Sequence, residues 1–233
     1  TAEGAHLHTG FQQLDARATC DGLALFSMEQ ARGSLRLVSS AYGRCGTPQP
    51  LARTGTITIH DQLVRYTRPS VTEEYAVSAD GIRQDFVLLE RPGGNGELRL
   101  YLDLQGATAR AVPEGALLTL EGSGRELAYT RLRVTDARGE ELTAFMDVLD
   151  EDRLMIRVAD AGAEFPVRID PTFSDADWTC INVNGGTPGT DGSVGAMVAD
   201  GAGKVYICGN FTRVGTTLAN GAARWNGSTW SAM

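Results

Sequence analysis

The chain has 233 residues, 42% hydrophobic and 21% charged, a balance that excludes a disordered or low-complexity chain. Its net charge of −8 argues against nucleic acid or an anionic membrane surface as partner, since either needs a basic face. No apolar run approaches the length of a membrane-spanning helix.

Residues 1–19 begin TAEGAHLHTG, without Met and without a basic-then-apolar leader. That is expected of a mature chain after signal-peptide removal, and a trimmed chain reads the same way. The stretch is expected to be an N-terminal extension and a candidate donated strand. His6 and His8 would share one face of a strand and offer two metal ligands; an exposed strand without a third ligand is the simpler reading.

From residue 20 to 172 the period is two, the mark of half-buried strands. TITIHDQLVRY (56–66) alternates Ile57 and Ile59, turns at His60-Asp61-Gln62 and returns through Leu63 and Val64. YAVSADGIRQDFVL (75–88) places Asp80-Gly81 between two apolar runs, a hairpin signal. LRLYLDL (98–104) puts four leucines on one face and Arg99, Tyr101 and Asp103 on the other. LLTLEGSGRELAY (117–129), RLRVTDARGEELTAFMDVL (131–149) and RLMIRVADAGAEFPVRID (153–170) repeat this strand–turn–strand logic. Turn signals about every ten residues predict an antiparallel β-sandwich. Residues 173–193, with the turn-forming run NVNGGTPGTDGS, are expected to be a linker. Residues 194–233 carry several short strands in roughly the length of one propeller blade, about 40–45 residues.

Two cysteines fall early (Cys20, Cys45) and two late (Cys180, Cys208), none in metal-binding spacing. The simplest of three connectivities is Cys20–Cys45 with Cys180–Cys208, each loop worth about 3 kcal/mol. That points to an oxidising compartment. The alternative is four buried free thiols.

Catalytic and ligand motifs are sparse. No Ser lies in a Gly-x-Ser-x-Gly elbow, and three His are available for any triad. GNGEL and GSGREL are turns between strands, so neither is a phosphate loop. DVLDEDR clusters Asp147, Asp150, Glu151 and Asp152, a candidate for Ca²⁺ without the EF-hand spacing; Asp191 is a weaker one. A solvated acidic turn is the simpler reading. Trp178, Trp225 and Trp230, with Tyr206 and Phe211, could stack on a sugar, but aromatics of this kind more often pack one blade against the next.

The end of the chain then resembles a known pattern. Asp200, Gly203 and Tyr206, then Gly209-Asn210-Phe211, Gly215, Asn220 and Trp225-Asn226-Gly227 with Trp230, resemble one repeat of bacterial secreted kelch-like propeller arrays. Cys208 departs from the pattern, where Gly or Val is usual. YTRPSVTEEYAVSADGIRQDFVL (66–88) and DRLMIRVADAGAEFPVRIDPT (152–172) resemble the β-rich domain that precedes kelch-like or similar repeats in large bacterial secreted proteins. The resemblance implies an exported architectural module and transfers no catalytic residue.

The expectation is an all-β chain, an antiparallel β-sandwich followed by a single propeller-blade-like sheet. It is expected to be secreted or held at the cell surface, without enzymatic activity or a cofactor. A lone blade cannot bury both faces, so self-association into a filament or appendage is expected. Tyr206, Phe211, Trp225 and Trp230 are the interface candidates. The alternative is an adhesive module of a longer propeller, binding a cell-surface glycan.

Overall fold

The computed structural model describes residues 4–10, 12–29, 32–78, 80–176 and 189–233. Every regular element among them is a strand in an antiparallel sheet, as the period-two pattern predicts. No helix among these residues is long and apolar enough to cross a membrane. The chain divides into a larger unit, Thr1–Trp178, and a smaller one, Thr179–Met233.

In chain order the larger unit holds β1 (Ala5–Thr9), β2 (Leu14–Thr19), β3 (Gly22–Ser27), β4 (Ser34–Arg44), β5 (Thr47–Pro50), β6 (Thr56–His60), β7 (Leu63–Thr67) and β8 (Val71–Ser78). It continues with β9 (Gly81–Leu88), β10 (Leu98–Gln105), β11 (Ala107–Val112), β12 (Gly115–Leu120), β13 (Glu126–Thr135), β14 (Ala144–Asp150), β15 (Arg153–Val158) and β16 (Val167–Asp175). One sheet runs β1-β2-β3-β4-β10-β15-β14, with β5 also paired to β4. The other runs β11-β12-β13-β16-β9-β8-β7-β6.

Alternation decides what is buried. Leu98, Leu100, Leu102 and Leu104 of β10 turn inward, while Arg99, Tyr101 and Asp103 take the other face. The inward residues of both sheets, among them Leu25, Leu37, Phe86, Leu118, Tyr129 and Phe173, form one buried cluster. Each such side chain contributes about 1.5–3 kcal/mol by leaving water. Gly81 has φ +133°, and a Cβ there would collide with the Phe173 carbonyl, so only glycine lets the β8–β9 hairpin press on β16.

The N-terminal stretch is not a free extension. Ala5–Thr9 and Leu14–Thr19 pair with each other, and β2 pairs with β3. Ala5, Leu7, Leu14, Ala16 and Ala18 all enter the core. The buried Arg125 guanidinium donates to the carbonyls of Gln12 (2.7 Å) and Gln13 (2.9 Å), pinning the β1–β2 connection. Alternating small and apolar residues give these strands a buried face, which fills this chain's own core. At the other end, Phe173–Asp175 belong to β16 rather than to the expected linker; residues 177–188 of that linker lie outside the described residues.

Two polar assemblies are buried in this unit. Glu73 accepts from Ser39 Oγ, Arg68, Tyr75 Oη (2.5 Å) and Gln84 Nε2 (3.1 Å), and Gln84 in turn accepts from Tyr129 Oη (3.0 Å). Burial, then the neighbouring Glu73 charge, push the Tyr75 phenol well above its ordinary value. In the second, Asp160 takes both arms of the buried Arg44 fork, at 2.5 and 2.8 Å. Asp160 also takes Arg91 (3.0 Å) and the Leu98 amide (3.2 Å). Burial alone would push the Asp160 carboxyl up; the Arg44 guanidinium outweighs it and holds the carboxyl below its ordinary value.

Across the second sheet a charged ladder joins Arg83, Asp85, Arg168 and Asp170. Burial and then the Asp85 carboxylate push Asp170 up to about 6. Such a group binds its proton more tightly folded than unfolded. Its stabilisation is complete below the ordinary value of 3.8 and is lost as pH rises through about 6. Asp170→Asn is therefore expected to flatten the decline of stability between about pH 4 and 6, and to stabilise the chain above that range by about 1–3 kcal/mol. Denaturant melts at a series of pH values read this; an unchanged profile would remove Asp170 from the account.

Candidate assembly surface

The smaller unit holds β17 (Ser193–Ala199), β18 (Val205–Asn210), β19 (Arg213–Val214), β20 (Thr217–Leu218), β21 (Ala222–Trp225) and β22 (Trp230–Ala232). One antiparallel sheet runs β17-β18-β21-β22, and β19 and β20 form a separate hairpin.

Three polar side chains build its turns. Asp200 Oδ1 accepts the amides of Ala202 (2.8 Å) and Lys204 (3.0 Å) between β17 and β18. Asn226 Oδ1 accepts those of Ser228 (2.9 Å) and Thr229 (2.8 Å) between β21 and β22. Asp191 accepts the Thr212 hydroxyl (2.5 Å) and the amides of Thr212 and Arg213 (2.8 Å each). The Thr212 hydroxyl first, then these amides, hold the Asp191 carboxyl below its ordinary value; the Ala202 and Lys204 amides do the same for Asp200. Asp200 and Asn226, quoted for the repeat pattern, thus act as braces of turns.

Cross-strand register sorts the other side chains onto two faces. Met197, Ile207 and Ala223 stand in one row, and Val205, Trp225 and Trp230 in the next on the same face. This face carries the unit's small core, Ile207, Phe211, Val214, Ala219 and Ala223, with Val205 and Trp230 against it. The opposite face presents Val198, Tyr206 and Arg224 in one row and Ala196, Cys208 and Ala222 in the next. None of these six is buried, and Val198 is 61% exposed. β17 is also an edge, and Met197 projects from it 72% exposed. The smaller unit therefore has one face with a core and one open face, apolar at Ala196, Val198, Cys208 and Ala222 and crossed by Tyr206 and Arg224.

The four aromatic candidates separate accordingly. Tyr206 stands half-buried on the open face. Phe211 is buried in the unit's own core, which withdraws it as an interface residue. Trp225 and Trp230 are cross-strand neighbours on the covered face, half-buried, with rings 5.6 Å apart and tilted by 52°. Ala196, Val198, Cys208 and Ala222 were missed; for the first two the signal was present in VGAMVA, an apolar run on both faces of one strand.

The cysteine pairing is corrected. Cys20, Cys45 and Cys208 are exposed free thiols. Cys20 lies in the β2–β3 turn and Cys45 in the β4–β5 turn. The four residues of β5 lie along β4 between these turns, about 13 Å of strand. Disulfides need Cα atoms within about 7 Å. Cys180 lies outside the described residues, and Cys208 projects from the open face.

The metal candidates resolve into local pairs. Asp15 stands cross-strand from His8, whose Nδ1 is 2.7 Å from Oδ1, with His6 Nε2 at 3.5 Å. Asp147 is ion-paired with Arg157. Among the described residues no group of three or more His, Cys, Asp or Glu has the arrangement of a metal site. Comparison with protein-family models, with curated proteins and with solved structures finds no match to this chain.

Proposed function

We propose that the chain is a structural module that works by self-association rather than by catalysis. On this reading the larger unit is an antiparallel β-sandwich, and the smaller unit is a propeller-blade-like sheet. The blade stacks through its open face on a different patch of a second copy, head to tail, building an extracellular filament or surface appendage. The observation that carries the reading is the uncovered face of Ala196, Val198, Tyr206, Cys208, Ala222 and Arg224. Blades in a propeller are covered on both faces by their neighbours, and repeat units become stable by stacking. The extracellular setting rests on the resemblance to secreted repeat proteins, because the exposed free thiols remove the disulfide argument for it. The alternative is a glycan-binding module carried by Trp225 and Trp230, which lie half-buried on the covered face.

Electron microscopy of the native material, with the mass of the intact chain, tests this. Ordered assemblies of chains of this length are expected. Monomers with further repeats in the same chain would mean that the next repeat covers the open face instead. Val198→Lys places a charge on an exposed position, so folding is expected to be unchanged. Association should weaken by about thirtyfold or more, as an apolar contact is replaced by a desolvated charge. Light scattering that shows equal association in the variant would sink the open face as the joint.

A further inference from the structure

Edge strands in native sheets are normally guarded against pairing by charge, proline or a bulge. In the larger unit β14 has a register shift at Val148/Asp150 and two acidic residues, β5 has Pro48 and Pro50, and β11 has Arg110, while β1 lacks these guards but buries its apolar residues and exposes only His6 and His8. The edge strand β6, Thr-Ile-Thr-Ile-His, has none of these. It carries no Lys, Arg, Asp, Glu or Pro, and its five pairs with β7 run without a shift. Ile59 is 56% exposed beside the partly buried Ile57. A hollow of about 430 Å³, lined by Thr58, Ile59, His60, Leu63 and Arg65, lies along the strand.

We infer that β6 pairs antiparallel with β6 of a second copy, across a two-fold axis at Thr58, and joins the two second sheets edge to edge. The backbone sets this register. The turn between β6 and β7 holds two residues, Asp61 and Gln62, so the closing pair His60–Leu63 is hydrogen-bonded. Alternation then spends the amides and carbonyls of Thr58 and Thr56 on β7, and those of Ile57 and Ile59 face outward. Antiparallel pairing of Ile57 with the Ile59 of the second copy satisfies these outward groups reciprocally. It also seats the exposed Ile59 against Ile57, which itself rests on the core. Thr58 meets Thr58 in a non-hydrogen-bonded pair, where side chains approach most closely.

Charge agrees with this register. It sets Asp61 of one copy opposite Gly55 of the other, two residues from Arg53. Asp61 is paired only with His60 of its own turn, and Arg53 is exposed without an ion pair among the described residues. The contact is isologous, while the blade contact is of another kind on another unit, so one does not depend on the other.

Symmetry makes the test specific. In a full-length chain with the four native cysteines changed to serine, Thr58→Cys is expected to form a disulfide dimer under mild oxidation. It should do so about tenfold or more faster than Thr56→Cys, because position 58 faces itself and position 56 faces 60. Mixed Thr56→Cys and His60→Cys chains should cross-link to each other faster than either does alone. Equal rates for Thr58→Cys and Thr56→Cys, or no dimer, would overturn the proposal. Sedimentation velocity gives a second reading without cysteines: Ile59→Lys should weaken the dimer about tenfold or more, with circular dichroism unchanged. If Val198→Lys abolished the Thr58→Cys cross-link, the contact would belong to the blade and the proposal would fail.

Discussion

Asp160→Ala is expected to destabilise the larger unit by about 3–5 kcal/mol, the penalty for leaving a buried charge without its partner. Arg44 is 3% exposed and would keep only the Pro92 and Gly96 carbonyls, at 3.4 and 3.0 Å. The Leu98 amide would lose its acceptor as well. For a unit of this size the loss lowers the thermal midpoint by on the order of 10 °C. Adding Arg44→Met should recover part of it, since the pair as a whole costs about as much to bury as it returns. Chemical denaturation read by near-ultraviolet circular dichroism measures both steps. A cost below about 1 kcal/mol for the single change would mean that water reaches Arg44, and the account of the pair would fail.

Glu73→Ala is expected to be as severe, about 3–5 kcal/mol, for a related reason. Arg68 would lose its counter-charge inside the core, and the Tyr75 hydroxyl and Gln84 amide would lose their acceptor. Glu73→Gln keeps the volume and part of the hydrogen bonding, so its cost should be the smaller of the two. The slope of free energy against denaturant should stay unchanged in both, because the exposed surface does not change. Equal costs for Ala and Gln would show that charge compensation is not what Glu73 supplies.

Strand existence was legible along nearly all of the chain, because alternation of period two needs only the local sequence. It placed β6 with β7, β8 with β9 and the four leucines of β10 where they are found. Strand partners that lie far apart in sequence were not legible. Nothing local says that β10 lies between β4 and β15, or that β16 lies between β9 and β13. The buried network was half legible. Val71-x-Glu73-x-Tyr75 and Ile82-x-Gln84-x-Phe86 each place a polar residue in an inward row. The pattern announces that a partner must exist, while its identity depends on the other sheet, from which Ser39 arrives. The same limit misled the cysteine reading: closeness in sequence was taken for closeness in space, and a strand lies between. In the smaller unit two residues of the quoted pattern, Asp200 and Asn226, proved to be turn braces. The open face was carried by less conspicuous alanines and a valine, whose meaning depends on what does not cover them.

The place of β16 bears on how the protein is made. This strand is the last of the larger unit in chain order, and it lies in the middle of the second sheet, between β13 and β9. Until it leaves the ribosome, β11–β13 and β6–β9 are two separate half-sheets, with unpaired edges at β13 and β9. Ile169 and Phe173 close that gap. The unit therefore cannot complete its second sheet until β16 has been made, and chains halted short of Val167 present the long-range, unpaired edges from which misassembly starts.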